Sequence, residues 1–213
     1  MAPFIYLLSL GVLFLWAGCA TDASQLRGRA DAGDVEAQYQ LASMYWEGKD
    51  VDQNQSLALK WYQRAAQNGH REAQVRVAEL YEAGHDVQQD YLRASQWYER
   101  AAEQGDVGAQ VRLAKLYIKG YGVPQNYAEA LKLLERAAAR REAEAEFLLG
   151  SLYREGRGVP KDMIRAHMWF NLAAAQGHAN ALHLRDVAAT ELDLTQLAEA
   201  QRLAVQKLQD TKQ

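Results

Sequence analysis

Apolar positions recur along most of the chain with the period of an α-helix rather than that of a strand. In the second half of the unit that begins at residue 34, Ala58, Trp61, Tyr62, Ala65 and Ala66 fall at i, i+3, i+4, i+7 and i+8, on one helical face. In the first half, Ala37, Leu41, Met44 and Tyr45 form a second face, ended by Gly48. Gly48 predicts a left-handed close to the first helix, because glycine has no Cβ to oppose it. Asn54, just before the other face, predicts an N-cap whose replacement by Ala should cost about 1 kcal/mol. A helix, a loop from Gly48 to Gln53 and a second helix make one unit.

That unit repeats. Ala37, Ala73, Ala109, Ala145 and Ala181 stand 36 residues apart. In the same register lie Tyr45, Tyr81, Tyr117 and Tyr153; Gly48, Gly84, Gly120 and Gly156; and Val51, Val87, Val123 and Val159. Asn54, Asp90, Asn126 and Asp162 form the N-cap column, and Ala58, Ala94, Ala130 and Ala166 follow. Trp61, Trp97, Leu133 and Trp169 share the next column, then Tyr62, Tyr98, Leu134 and Phe170. Pro124 and Pro160 stand in two of the loops, where a fixed φ forbids helix continuation. Gly69, Gly105 and Gly177 end the second helices, but Arg141 holds that place in the third unit. A left-handed non-glycine residue costs about 1–2 kcal/mol, so this junction is expected to bend differently.

Two such short helices cannot bury an aromatic face alone, so each pair must stack on its neighbours. The expected fold is all-α: an α-solenoid, a right-handed superhelix of four helix-turn-helix repeats over 34–69, 70–105, 106–141 and 142–177. Residues 19–33 supply a linker and the start of the array. Residues 178–213 form a degenerate fifth unit with Arg185 in the leucine column, and a C-terminal capping helix from about Thr195 to Gln209. The tryptophan column coincides with the core seam and is read as packing rather than as a carbohydrate or cofactor platform.

The stretch Ala145-Glu-Phe-Leu-Leu149-Gly150-Ser-Leu-Tyr153-Arg-Glu-Gly156-Arg-Gly158-Val159-Pro160 resembles the Sel-one-like repeat, a relative of the tetratricopeptide repeat. The resemblance implies a non-catalytic scaffold for protein partners. It also implies that the first helix of each pair lines a concave side.

Met1 to Thr21 carries no charged side chain, and its apolar stretch from Phe4 to Trp16 has the length of a secretory h-region. Trp16-Ala17-Gly18-Cys19 resembles a bacterial lipobox, with Trp16 in the place of the usual aliphatic residue and no Lys or Arg before Phe4. The resemblance implies cleavage after residue 18, lipidation of Cys19 and, with Ala20 following, sorting to the outer membrane facing the periplasm. An uncut anchor from Ala2 to Thr21 and a plain secretory signal are the alternatives.

Composition narrows the chemistry. With 24 Lys+Arg against 27 Asp+Glu the chain lacks the basic excess of a nucleic-acid binder. One cysteine excludes an internal disulfide and a cysteine zinc cage. No nucleophile elbow, His-Glu-x-x-His or phosphate loop is present; Gly120-Tyr121-Gly122 and Gly156-Arg157-Gly158 sit in the repeat loops and are read as turn geometry. His70, His85, His167, His178 and His183 are scattered, so no metal site and no cofactor are expected. The alternative to a scaffold is an envelope enzyme or binder for peptidoglycan or β-lactam-like ligands, or an inner-membrane or cytosolic adaptor. Related proteins of that kind carry paired cysteines, which this chain lacks.

Recognition is then expected on first-helix positions that vary between units. On a helical wheel centred on Leu41, positions 36, 39, 43, 46 and 47 face away from the paired helix. The candidate partner-binding residues are Gln40, Ser43, Trp46, Arg76, Glu79, Arg112, Lys115, Ser151 and Arg154, with Arg76 and Arg112 as a clamp for an acidic peptide. Tyr39, Val75, Val111 and Phe147 stay apolar and are read as packing between repeats.

Overall fold

The computed structural model describes residues 23–84 and 87–210. The expected signal segment, Cys19 and His85 therefore lie outside the described residues. Eleven helices are present among the described residues: α1 at 23–31, α2 Val35–Glu47, α3 Gln55–Gln67, α4 Arg71–Ala83, α5 Tyr91–Glu103, α6 Val107–Lys119, α7 Tyr127–Ala138, α8 Ala143–Glu155, α9 Met163–Ala175, α10 Ala181–Ala189 and α11 Leu194–Asp210. The chain divides into two compact units, Met1–Gln89 and Asp90–Gln213, with the division in the loop of the second repeat.

Inside each unit, successive helices pack on one another. In the first unit α3 lies against both α2 and α4. In the second, the contacts run α5 to α6, α6 to α7, α7 to α8 and α8 to α9, after which both α10 and α11 pack on α9. Helix ends follow the expected chemistry. Asn54, Asp90, Asn126 and Asp162 each accept a backbone N–H at the start of a second helix. Gly48, Gly84, Gly120 and Gly156 close the first helices in the left-handed region. The final helix begins one residue before its expected start and ends one residue after its expected end.

The core is the set of columns read from the repeat. Ala37, Ala73, Ala109, Ala145 and Ala181 are fully buried, which lets neighbouring backbones approach. Trp61 and Trp169 are buried and Trp97 is half-buried. An Arg or Lys covers the outer face of each: Arg64 on Trp61, Arg100 on Trp97 at 4.6 Å, and Lys207 on Trp169. Such contacts let a large ring complete its burial at the surface with a cation that stays hydrated.

A second set of columns carries polar groups into this core. Gln38, Gln74 and Gln110 are buried, and each Nε2 donates to the carbonyl eight residues earlier: Ala30, Ala66 and Ala102. Each bond ties a first helix to the end of the helix before it, and α1 supplies that end for the first repeat. In the fourth repeat the position is Glu146, which is 1% exposed. A carboxylate has no N–H to donate, so Glu146 accepts from Gln176 Nε2 and faces Arg141 Nε at 3.5 Å. Arg141 adopts the left-handed conformation, φ 62°, in place of the glycine found elsewhere in its column.

Glu146 and Arg141 therefore compensate each other. Burial pushes the Glu146 carboxyl above its ordinary value against the pull of Arg141. The folded state then holds this proton more tightly than the unfolded chain. The group's penalty is absent below about pH 4.5, the ordinary glutamate value, and grows as pH rises. Arg141→Gly alone strands a buried carboxylate and is expected to destabilise. Arg141→Gly with Glu146→Gln removes both departures and is expected to stabilise by about 1–2 kcal/mol at neutral pH. That gain should shrink on acidification, as read by urea unfolding at several pH values.

Candidate functional site

The first-helix face of the first unit is built from α2 and α4. Trp46 and Arg76 come from equivalent faces of the two helices, and the Arg76 guanidinium lies 4.7 Å above the Trp46 ring. Arg76 Nη1 also reaches Glu79 Oε2 at 3.4 Å. Trp46, Arg76 and Glu79 thus form one half-exposed group. Gln40 Nε2 donates to Glu36 Oε1, which turns its amide along its own helix.

Ser43 corrects the helical-wheel reading. Its hydroxyl shares a 3.0 Å hydrogen bond with Tyr62 Oη on the paired helix α3 and donates to the Tyr39 carbonyl. The long Tyr62 side chain reaches past the core seam, so positions 39 and 43 face the paired helix in part. Ser151 behaves similarly within α8, where its hydroxyl donates to the Phe147 carbonyl. Neither serine presents a free hydroxyl.

In the second unit, Lys115 from α6 pairs with Glu144 Oε1 of α8 at 2.5 Å, and Glu144 Oε2 meets His178 Nε2 at 2.8 Å. Burial works to raise the Glu144 carboxyl, but Lys115 and His178 together hold it below its ordinary value. Arg154 bonds its neighbour Glu155, and Arg112 is exposed on α6. Arg76 belongs to the first unit and Arg112 to the second.

Two members of the apolar column, Tyr39 and Phe147, meet the residue that opens the next repeat. Tyr39 stacks on His70 at 4.4 Å, and Phe147 on His178 at 4.1 Å. These two histidines are not scattered: they occupy the same register position three repeats apart. Each also meets a glutamate of the preceding repeat, Glu36 for His70 and Glu144 for His178. His70 Nδ1 accepts the Ala73 N–H and caps α4, which leaves Nε2 to carry the proton toward Glu36. That hydrogen bond, with help from Gln40, holds Glu36 below its ordinary value. α10 starts two residues later in the register, so His178 caps nothing and its buried Nδ1 has no partner among the described residues.

Sequence reasoning missed three features here: the capping column Asp34, His70 and Asp106, the buried glutamine column, and Gln53, Gln89 and Gln125. Members of the last set donate to the carbonyls of Trp46, Glu82 and Ile118 and bind each loop to its first helix. All three recur at the repeat period, which was the available signal. Among the described residues no group of three or more His, Cys, Asp or Glu is placed to hold a metal ion, and no helix is long and apolar enough to cross a membrane.

Comparison with known proteins agrees with this architecture. The Sel1 repeat matches four times, over residues 35–70, 71–106, 107–141 and 143–178. A protective antigen of uropathogenic Escherichia coli strains, described as displaying an SLR fold, is similar at 33% identity and a TM-score of 0.70. The match covers 75% of this chain but only 34% of that protein's length, so the chain spans about a third of it. A Sel1 repeat protein from Oxalobacter formigenes is similar at 29% identity and a TM-score of 0.67, over 90% of this chain and 80% of that one. No curated protein matches the chain. With stacked helical pairs, shared caps and four matched repeats, the chain belongs to the Sel1 repeat family.

Proposed function

We propose that the protein is a non-catalytic scaffold that holds a protein or peptide partner on the outward residues of its first helices. In this reading it is tethered through lipid on Cys19 to the outer membrane and faces the periplasm. The observation that carries the binding role is the half-exposed Trp46 with Arg76 on its ring, in columns whose chemistry changes from repeat to repeat. Tryptophan and arginine are the residue types that dominate protein interfaces energetically. The tether rests on the uncharged leader and on the single cysteine where lipidation requires it.

Two experiments test this. Affinity capture from detergent-solubilised envelopes, using the full chain, is expected to retain a partner that Trp46→Ala with Arg76→Glu releases by tenfold or more. The parallel variant Arg112→Glu with Lys115→Glu reports on the second unit. Capture of nothing specific, or of the same proteins by every variant, overturns the binding surface. Radioactive palmitate is expected to label the wild type and not Cys19→Ser. Equal labelling of both, or of neither, removes the tether.

A further inference from the structure

The repeat register changes character at its last unit. The column of Leu41, Val77, Leu113 and Leu149 continues as Arg185, and that of Ala42, Ala78, Ala114 and Gly150 as Asp186. The column Tyr45, Tyr81, Tyr117 and Tyr153 continues as Ala189, which removes a large ring. On α9, His167 takes a position held by Leu59, Ser95 and Leu131 in earlier repeats. These replacements converge. His167, Arg185, Asp186 and Ala189 line one cleft of about 580 Å³ between α9, α10 and α11.

The rest of the lining divides into a polar and an apolar part. Asn171 and Gln201 join the polar part, and Leu197, Ala204, Val205 and Leu208 form the apolar wall. A cleft of this size, mostly apolar with a few convergent polar groups, has the form of a small-ligand site. A packing fault would not explain its polar members. His167 is only 6% exposed, and its Nδ1 has no hydrogen-bond partner among the described residues. Asn171 lines the cleft half-buried, and Gln201 lines it from an exposed position. A buried nitrogen in this state, as His167 Nδ1 is, is ordinarily satisfied by something.

The charge balance selects the ligand. Arg185 donates through Nε and Nη2 to Asp186 Oδ1 at 3.0 and 2.7 Å, so the two cancel. Burial, and Arg185 beside it, favour the neutral imidazole of His167. The polar end therefore offers donors and acceptors with no net charge. Because Arg185 and Asp186 are already paired, neither a carboxylate nor an ammonium finds an uncompensated counter-charge there.

We propose that this cleft binds a small uncharged amphipathic ligand, with an apolar body against Leu197, Val205 and Leu208 and an amide-type head at His167, Asn171 and Gln201. The site is separate from the first-helix face and does not depend on the scaffold reading.

Hexanamide, hexanoate and hexylammonium serve as probes, added to the full chain labelled with nitrogen-15. Hexanamide is expected to shift the side-chain amide signals of Asn171 and Gln201 saturably, with both charged probes at least tenfold weaker. Val205→Trp should abolish the shifts by filling the cleft; Val205 is 55% exposed, so a larger ring there does not disturb the core. Asn171→Leu should weaken hexanamide at least fivefold while leaving the fold intact by circular dichroism. The proposal fails if hexanamide gives no saturable shift, if a charged probe binds as well, or if Val205→Trp binds hexanamide unchanged.

Discussion

Gly122→Ala is expected to lower the unfolding free energy by about 3 kcal/mol or more, the sum of two separable effects. Gly122 has φ +70°, where a Cβ is strained by about 1–2 kcal/mol. The added Cβ would also stand 2.2 Å from the carbonyl carbon and oxygen of Tyr91 and 2.4 Å from the Leu92 nitrogen. Those atoms belong to the first turn of α5, where Asp90 fixes the backbone by capping, so they cannot move aside cheaply. Gly33→Ala is the matched control: its φ is +97°, yet nothing lies within 4 Å of the new Cβ. Guanidinium unfolding should show Gly33→Ala losing only the strain. Equal losses at both positions would mean that the contact with α5 contributes nothing.

The same position explains why these loops look glycine-rich. Gly158 has φ +73°, and a Cβ there would lie 2.4 Å from the Tyr127 Cβ at the start of α7. Each loop of the second unit thus presses on the second helix of the repeat before it. In the first repeat the position is Asp50, also left-handed at φ 60°. Among the described residues only α1 precedes that repeat, and an aspartate is accommodated.

Phe170→Ala should be the most damaging change in the core of the second unit, at about 3–5 kcal/mol. Phe170 is fully buried, and its ring fills the space above Gly150 while tilting against Phe147 at 5.7 Å. A Cβ on Gly150 would fall 2.7 Å from two Phe170 ring carbons. Gly150→Ala gains about 1 kcal/mol of helix propensity, but overpacking a fixed ring costs about 1–3 kcal/mol. A net loss is therefore expected, although alanine is what every earlier repeat carries there. The third repeat pairs Ala114 with Leu134, while the first two pair Ala42 and Ala78 with Tyr62 and Tyr98. The clash therefore belongs to the placement of the Phe170 ring over Gly150 and not to an aromatic residue as such. Phe170→Leu should accordingly turn Gly150→Ala from harmful to neutral or stabilising. Additive effects in that double-mutant cycle would break the proposed pairing.

Most of the fold was legible because a repeat displays each packing requirement several times. An alanine that must be small, a glycine that must turn left and an aspartate that must cap each return after 36 residues. Single positions were less legible. His70 as a helix cap runs against the usual preference for Ser, Asp or Asn, and only its alignment with Asp34 and Asp106 reveals it. Gln38 reads as a surface residue until its recurrence at Gln74 and Gln110 is set beside its burial. The partner-facing residues were the hardest. Wheel geometry treats side chains as short spokes, and Tyr62 reaching Ser43 shows why that fails for long ones. The cleft at the C-terminal end was legible only in retrospect, as Arg185, Asp186 and Ala189 break three core columns together.

The junction before α8 lacks three things that its counterparts possess. Arg141 replaces the turning glycine, Glu142 makes no side-chain capping bond, and Glu146 cannot donate the amide bond made by Gln38, Gln74 and Gln110. In a linear array with nearest-neighbour coupling, the poorest link sets where cooperativity breaks. Residues from 143 onward should behave as their own foldon, opening to amide exchange separately from the helices before them. If so, the end that carries the cleft can loosen and reseal while the rest of the second unit stays shut.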